Sequence, residues 1–113
     1  MAWKVYGLPE AEAEVTALLD DESSKLGAAW LIGWLKAVAA GNGDPQAEPS
    51  MEAGGETLGY RVDGEAIVIF FLLAEAQTLL VLFFGKPASA LPRQADLAVA
   101  AERLQQWRST QHA

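Results

Sequence analysis

Three cations carry the side chains best suited to binding a phosphate. Arg61 lies in a short segment typical of a strand, Lys86 follows an apolar run that ends at Phe84, and Arg93 comes directly after Pro92. Guanidinium and ammonium groups bind phosphate oxygens and neutralise charge that develops on them. A cation in the first turn of a helix opposes the helix dipole, so Arg93 favours an external anion.

Each of these cations also has an ordinary structural role. Arg61 would form a surface ion pair with Asp63 or Glu65, which is slightly the more frequent arrangement for a strand arginine. Lys86 would end a strand as a charged residue that discourages edge pairing. The sequence leaves these alternatives open.

Few other groups are suited to chemistry. His112 has the residue type of a general base, but it lies at the chain end, where residues are usually disordered. The acids Asp20, Asp21 and Glu22 lack the spacing of a metal site and fit a solvated helix end. The chain has no cysteine, no Ser-His-Asp signature and no glycine-rich phosphate loop. We therefore expect neither a metal nor a cofactor.

The charge of the chain is unevenly distributed. The 113 residues carry 15 acids and 8 bases, hence a net charge of -7. Residues 1–65 hold 12 of the acids and 4 of the bases, whereas residues 66–113 hold 3 and 4. A net field of this sign does not attract nucleic acid or anionic lipid. Any anion-binding capacity is therefore expected in the second half.

Length and composition predict a single domain over residues 1–113. A chain of 113 residues of which 51% are hydrophobic is long enough for one core of two packed layers. Residues 67–85 have the length of a membrane span, but Glu75 and Gln77 stand at its centre. We expect no membrane contact, and the absence of a secretory pattern at the N-terminus fits a cytoplasmic location.

Hydrophobic spacing predicts an α+β fold of order β-α-α-β-β-β-α. An N-terminal strand precedes a helical hairpin, an antiparallel meander sheet follows, and a helix closes the chain. The predicted elements are a strand at 3–8, helices from Pro9 and over about 25–40, strands at 58–62, 67–73 and 78–84, and a helix that begins at Ser89 or Leu91-Pro92. Residues 41–57 are rich in glycine, proline and acids and predict a flexible loop.

The second predicted helix and the apolar strands suggest contact surfaces. Trp30 and Trp34 are four residues apart, so they can share a helix face, and an exposed tryptophan there would mark a partner groove. The buried face of this helix is predicted from residues spaced by three and four, which are Leu26, Ala29, Trp30, Gly33, Trp34, Ala37 and Val38, and Leu31 and Leu35 widen that face. The continuous apolarity of residues 67–84 implies that both sheet faces are covered, by helices on one side and by a partner or a second copy on the other.

The ordered motifs of residues 79–107 resemble the RelE/ParE superfamily of bacterial toxins, in particular its HigB-like and phage-derived branch. Members typically show an apolar strand that ends in phenylalanine, then a lysine pair, a proline, an acid-aliphatic pair and a helix with alanine, arginine and an aromatic residue. The matching positions here are Phe84, Lys86, Pro92, Asp96-Leu97, Ala100, Arg103 and Trp107. Leu58 to Arg61 resembles the family segment that carries an arginine before the central hairpin.

The resemblance implies a toxin that cleaves mRNA on the ribosome and is covered by a cognate antitoxin. In such an enzyme the RNA supplies its own 2′-hydroxyl as the nucleophile. The family pattern would make Arg61 and Lys86 the catalytic cations, Arg93 and Arg103 the RNA-binding ones, and Trp107 a surface on which a base stacks. The expected partners are the antitoxin, the ribosome and mRNA, with a homodimer as a further possibility.

The chain departs from the family pattern at several catalytic positions. The middle strand contains Ala66 to Phe70 where relatives carry an arginine and a tyrosine, and Pro87 replaces the second lysine. A fold does not fix a function, so an alternative stays open. In that alternative, the protein is a catalytically inactive binding module that acts through protein-protein contacts.

Overall fold

A five-stranded mixed sheet with helices on both faces is the architecture of residues 1–111, the part of the chain that the computed structural model describes. The elements are β1 (Lys4–Gly7), α1 (Pro9–Leu19), α2 (Lys25–Ala39), β2 (Ser50–Ala53), β3 (Glu56–Asp63), β4 (Ala66–Leu73), β5 (Thr78–Gly85) and α3 (Gln94–Gln111). Single 3-10 turns stand at Pro45–Ala47 and Ala74–Ala76. The α+β class and the arrangement of strand, helical hairpin, sheet and closing helix are confirmed.

The four later strands form the expected antiparallel meander, and β1 joins it in parallel. The strand order is β1-β5-β4-β3-β2, and β1 pairs with β5 from Lys4 opposite Thr78 to Gly7 opposite Val81. β5 carries a β-bulge, because Ile69 pairs with Phe83 and Phe70 with Val81. β4 and β5 are therefore interior strands of the sheet.

Helices cover both faces of the sheet. Phe70 of β4 packs against Trp34 of α2, with ring centroids 5.5 Å apart. Its neighbour Phe71 lies under Arg108 of α3, whose guanidinium carbon is 4.9 Å from the ring centroid. Because neighbouring strand residues point to opposite faces, α2 and α3 lie on opposite sides of the sheet. The apolarity of residues 67–84 is thus accounted for within one chain, and it no longer argues for a second copy.

A close approach of α2 to the β3–β4 turn depends on one glycine. A Cβ atom on Gly27 would lie 2.0 Å from the Asp63 carbonyl oxygen, and 3.3 Å from the Cβ of Ala66. Any larger residue therefore pushes the helix off the turn. On the opposite side of α2, a Cβ on Gly33 would meet nothing within 4 Å.

Three predictions from the sequence are wrong in detail. Ser50–Ala53 form strand β2, so residues 41–57 are not a loop throughout. The strand has only four residues and buries none of them fully, so it does not stand out from a glycine-rich segment. The closing helix begins at Gln94 rather than at Ser89 or Leu91. The buried face of α2 is only partly the predicted one: Leu31, Leu35 and Val38 are buried as expected, together with Gly27 and Ala28, whereas Leu26, Ala29, Trp30 and Gly33 are exposed.

The physical reason for the third error is the composition of α2. Nearly every residue of this helix is apolar, so spacing alone does not select one face. The sheet receives the side with small residues, because Gly27 and Ala28 allow close packing. Trp30 and Leu26 are left 55% and 61% exposed. Within residues 1–111, no helix combines the length and apolarity that crossing a membrane requires.

Candidate functional site

Lys86 and Arg93 meet at the C-terminal end of β5. Lys86 directly follows the strand, and its backbone carbonyl accepts a hydrogen bond of 3.2 Å from Nε of Arg93. Arg93 precedes α3, and its own carbonyl accepts from the amides of Asp96 and Leu97. Arg93 therefore stands immediately before the helix rather than in its first turn. Two of the predicted phosphate-binding residues are thus brought together, with both side chains exposed.

The turn between α1 and α2 supplies an acid to this cluster. Nζ of Lys86 donates to Oδ2 of Asp21 at 2.6 Å and to Oγ of Ser23 at 3.0 Å. Oδ1 of Asp21 in turn accepts from the Ser23 amide and hydroxyl. The turn itself is fixed by the buried Ser24, whose hydroxyl donates to the Leu18 carbonyl at 2.8 Å. We call Asp21, Ser23, Lys86 and Arg93 the β5-end cluster.

The electrostatics of the β5-end cluster leave one cation without an acid. The hydrogen bond from Lys86, followed by those from Ser23, lowers the pKa of Asp21 to about 2, so Asp21 is ionised and pairs with Lys86 at neutral pH. Arg93 forms no ion pair within residues 1–111. Burial raises the pKa of Asp96, and the charge of Arg93 opposes that rise. An anion that binds the Lys86 ammonium would have to compete with Asp21.

Arg61 stands apart from this cluster and is held by two acids. Its Nη1 donates to Glu48 and its Nε to Asp63, both at 3.0 Å. The guanidinium carbon also lies 5.2 Å from the ring centroid of Trp34. The structure therefore contains the ion pair with Asp63 that the alternative structural role of Arg61 requires, and it adds a second pair with Glu48.

Arg103 is part of the packing between α1 and α3. Its Nη1 and Nη2 donate to the two carboxylate oxygens of Glu14 at 2.8 and 3.0 Å, and Nη1 also donates to the Leu82 carbonyl at 2.9 Å. The hydrogen bonds that Arg103 donates to Glu14 raise the pKa of Arg103 above its ordinary value. Arg108, further along α3, pairs with Glu56. A phosphate would have to displace a carboxylate to reach either arginine.

Trp107 is half-buried and lines a cavity of about 290 Å³ between β1 and the C-terminal half of α3. Tyr6, which is 50% exposed, lies on the same cavity wall as the residues from the start of α1. The cavity is remote from the β5-end cluster, because Arg93 and Trp107 are separated by almost the whole of α3. An α-helix rises about 1.5 Å per residue, so the two are roughly 20 Å apart.

The two tryptophans of α2 have different environments. Trp30 is 55% exposed, whereas Trp34 is half-buried between Phe70 and Arg61. The exposed neighbours of Trp30 on the same face of the helix are Leu26, Ala29 and Gly33. An apolar surface of this kind on an exposed helix is typical of a contact site.

Some residues of the site could not be found by type and spacing. Asp21 and Ser23 lie far from Lys86 in sequence, and nothing in the polar segment at 20–24 indicates this contact. The role of Glu14 could have been predicted, because this acid stands at helical spacing from Ala11 and Leu18, the buried residues of α1. A lone carboxylate on a buried helix face predicts a buried partner.

Neither a metal site nor similarity to known proteins assigns a function to these residues. Residues 1–111 contain no group of three acids, histidines or cysteines that could hold a metal ion, and His112 lies outside the described residues. No model of a known protein family matches the chain, and no curated protein is significantly similar to it.

Proposed function

We propose that this chain is the toxin of a bacterial or phage toxin-antitoxin pair, with a RelE-like fold, and that it blocks translation by cleaving mRNA on the ribosome. The observation that carries the proposal is the meeting of Lys86 and Arg93 at the end of β5. Both stand in the segment whose motifs resemble the RelE/ParE superfamily. The order of strand, helical hairpin, sheet and closing helix supports the same assignment.

In the proposed reaction, the β5-end cluster acts on the phosphate. The 2′-hydroxyl oxygen of a nucleotide attacks the adjacent phosphorus and releases its proton to water. The bond from that phosphorus to the 5′-oxygen of the next nucleotide breaks, and this leaving oxygen takes a proton from water. The products are a 2′,3′-cyclic phosphate and a 5′-hydroxyl. Lys86 and Arg93 position the phosphate and neutralise the charge that develops on its oxygens.

In this proposal, phosphate binding at Lys86 requires the displacement of Asp21. Its carboxylate already occupies Lys86, so the phosphate must replace it. An exposed pair of this kind contributes little to stability and is exchanged at low cost. The net charge of -7 makes RNA binding by the free chain unfavourable, so the ribosome would have to supply much of the affinity.

The further partner is an antitoxin, which we place on the Trp30 surface of α2. The side chains of Trp30 and Leu26 give that surface its exposed apolar area. We propose a cytoplasmic location, because ribosomes and antitoxin are both there.

A second candidate function is a catalytically inactive binding module on the same scaffold. One observation favours it: Arg61, Lys86, Arg103 and Arg108 each pair with a carboxylate of the same chain. Such a protein would act through the Trp30 surface alone and would leave RNA untouched.

Induced expression in a bacterial host without the antitoxin separates these functions. The readouts are growth, incorporation of amino acids and the integrity of mRNA. Rapid arrest of protein synthesis with truncated mRNA is the result expected of the toxin. Normal growth with soluble, folded protein would establish the binding module instead. Arrest with intact mRNA and altered DNA topology would indicate a gyrase-directed toxin.

A further inference from the structure

We infer that the cavity between Tyr6 and Trp107 binds a single nucleobase, and that guanine is the ring it fits best. This inference deepens the proposed function, on which its biological meaning rests, because it adds a base-reading subsite roughly 20 Å from the β5-end cluster. We call it the Tyr6–Trp107 cavity. Its lining includes Tyr6, Glu10, Arg103, Gln106, Trp107 and Gln111.

Two aromatic side chains give the cavity its stacking surfaces. Tyr6 lies on β1, an edge strand, and Trp107 lies on α3, which crosses that face of the sheet. Tyr6 is 50% exposed although it stands in a strand, and Trp107 keeps part of its indole accessible. Aromatic rings of this kind stack on bases because every base has a flat π surface. The volume of about 290 Å³ suits one ring system rather than a long chain.

The polar lining matches the edge of a base. The Gln106 amide offers a donor and an acceptor, and the Glu10 carboxylate is an acceptor only. Guanine presents two neighbouring donors, N1–H and its 2-amino group, which a single carboxylate can accept together. Glu10 lies near Arg103, since its charge contributes to the raised pKa of that arginine. Uracil and cytosine do not offer this pair of donors.

The same lining argues against a phosphate in this cavity. Arg103 is the cation of the wall, and its guanidinium is already bonded to Glu14 and to the Leu82 carbonyl. With Glu10 at the rim, the cavity has no net positive charge to offer. A ring without charge therefore fits better than a phosphate group, and a base fits better than an intact nucleoside triphosphate.

A proline-rich peptide is another ligand that binds between aromatic side chains, and it is less suitable than a base. Such peptides need a row of aromatic ridges along an extended groove. Here two aromatic residues line one short, open cavity, and the rest of its lining is mostly polar or charged. The test below includes this peptide as an outcome that would overturn the inference.

The experiment titrates guanosine, inosine, uridine and a proline-rich peptide separately into the purified full chain and follows amide and indole N–H signals by NMR. Guanosine should bind saturably, shift the Trp107 indole signal and bind roughly tenfold tighter than uridine. Glu10→Gln should abolish the preference for guanosine over inosine, because inosine lacks the 2-amino group. Trp107→Leu and Tyr6→Ser should each weaken guanosine binding by about tenfold.

Leu91→Ser is the matched control, since Leu91 is 52% exposed, much as Tyr6 is, and lies outside the Tyr6–Trp107 cavity. It should leave guanosine binding unchanged. Because Trp107 is half-buried, Trp107→Leu is first checked by thermal unfolding; if it does not fold, the exposed Tyr6→Ser carries the test alone. The inference is overturned if guanosine does not bind, if Tyr6→Ser binds normally, or if only a proline-rich peptide binds. Nucleoside binding is measured without any toxicity assay, so its failure and the failure of the toxin proposal are distinguishable.

Discussion

Glu14 and Arg103 together close the part of the β5 edge that β1 leaves open. β1 pairs with β5 only as far as Val81. Beyond it, the Leu82 carbonyl accepts from Nη1 of Arg103 at 2.9 Å, and the Phe84 amide donates to Oε1 of Glu14 at 3.2 Å. The bulge that makes Leu82 an extra residue turns these groups toward the open edge. The side chains of Glu14 and Arg103 thus form the hydrogen bonds with β5 that a neighbouring strand would otherwise form.

Removing the charge of Glu14 should therefore destabilise the protein. We expect Glu14→Gln to lower the free energy of unfolding by about 1–3 kcal/mol, because it leaves a partly buried guanidinium with a weaker partner. Urea unfolding followed by circular dichroism measures the loss. Glu12→Gln is the control on the same helix, since Glu12 is exposed and forms no ion pair within residues 1–111. Equal unfolding midpoints for the two variants would contradict the structural role of Glu14.

Alanine substitutions at the two interior glycines of α2 should change the free energy of unfolding in opposite directions. Gly27→Ala would place a methyl group 2.0 Å from the Asp63 carbonyl, so we expect a loss of about 1–3 kcal/mol as α2 moves off the turn. Gly33→Ala meets nothing within 4 Å and should stabilise the helix by up to about 1 kcal/mol. Thermal unfolding of both variants tests this. A Gly27→Ala variant that is as stable as the parent would show that the contact at Gly27 is not tight.

The secondary structure of the chain is predictable from its sequence, but the packed face of α2 and the partner of Lys86 are not. Strands and helices followed from spacing, because β-branched and aromatic runs and the proline at the first position of α1 are local signals. Whether Trp30 or Gly27 faces the sheet was not predictable, because both sides of α2 are apolar. Lys86 and Arg93 were identified by residue type, but Asp21, which pairs with Lys86, comes from a turn about 65 positions earlier in the chain. Such a contact depends on tertiary packing alone.

Substitution of Lys86 or Arg93 should affect toxicity more than substitution of Arg61, the paired arginine of β3. We expect Lys86→Ala and Arg93→Ala each to reduce toxicity strongly, since each removes a charge from the phosphate site. Arg61→Ala should reduce toxicity less and stability more, because Glu48 and Asp63 already hold its guanidinium. Growth after induced expression is the measurement, with protein levels checked by immunoblot. Lys36→Ala, an exposed lysine of α2, is the control; full toxicity of both cluster variants would refute the assignment of the site.

The Trp30 surface should be needed for the partner and not for the fold. Trp30→Ser removes a side chain that is 55% exposed, so we expect its unfolding temperature to stay within a few degrees of the parent. Its complex with the antitoxin should be lost in co-purification after co-expression of the neighbouring gene. Leu91→Ala, at a residue that is 52% exposed outside α2, controls for the general loss of apolar surface. An intact complex in Trp30→Ser would place the antitoxin elsewhere.

The Asp21–Lys86 pair should make stability sensitive to pH in the acid range only. Asp21 has a pKa of about 2 in the folded protein against an ordinary value of 3.8, so the folded state favours the ionised form. Its contribution is complete above pH 3.8 and is lost as the pH falls through about 2, because the unfolded chain takes up the proton first. Asp21→Asn lacks this dependence, so the difference in unfolding free energy between it and the parent should shrink over that interval. Asp20→Asn is the control, and a difference that persists unchanged at the acid end would mean that Lys86 does not pair with Asp21.

At neutral pH, Asp21→Asn also frees Lys86. The affinity of the Asp21→Asn protein for inorganic phosphate should therefore rise relative to both the parent and Asp20→Asn.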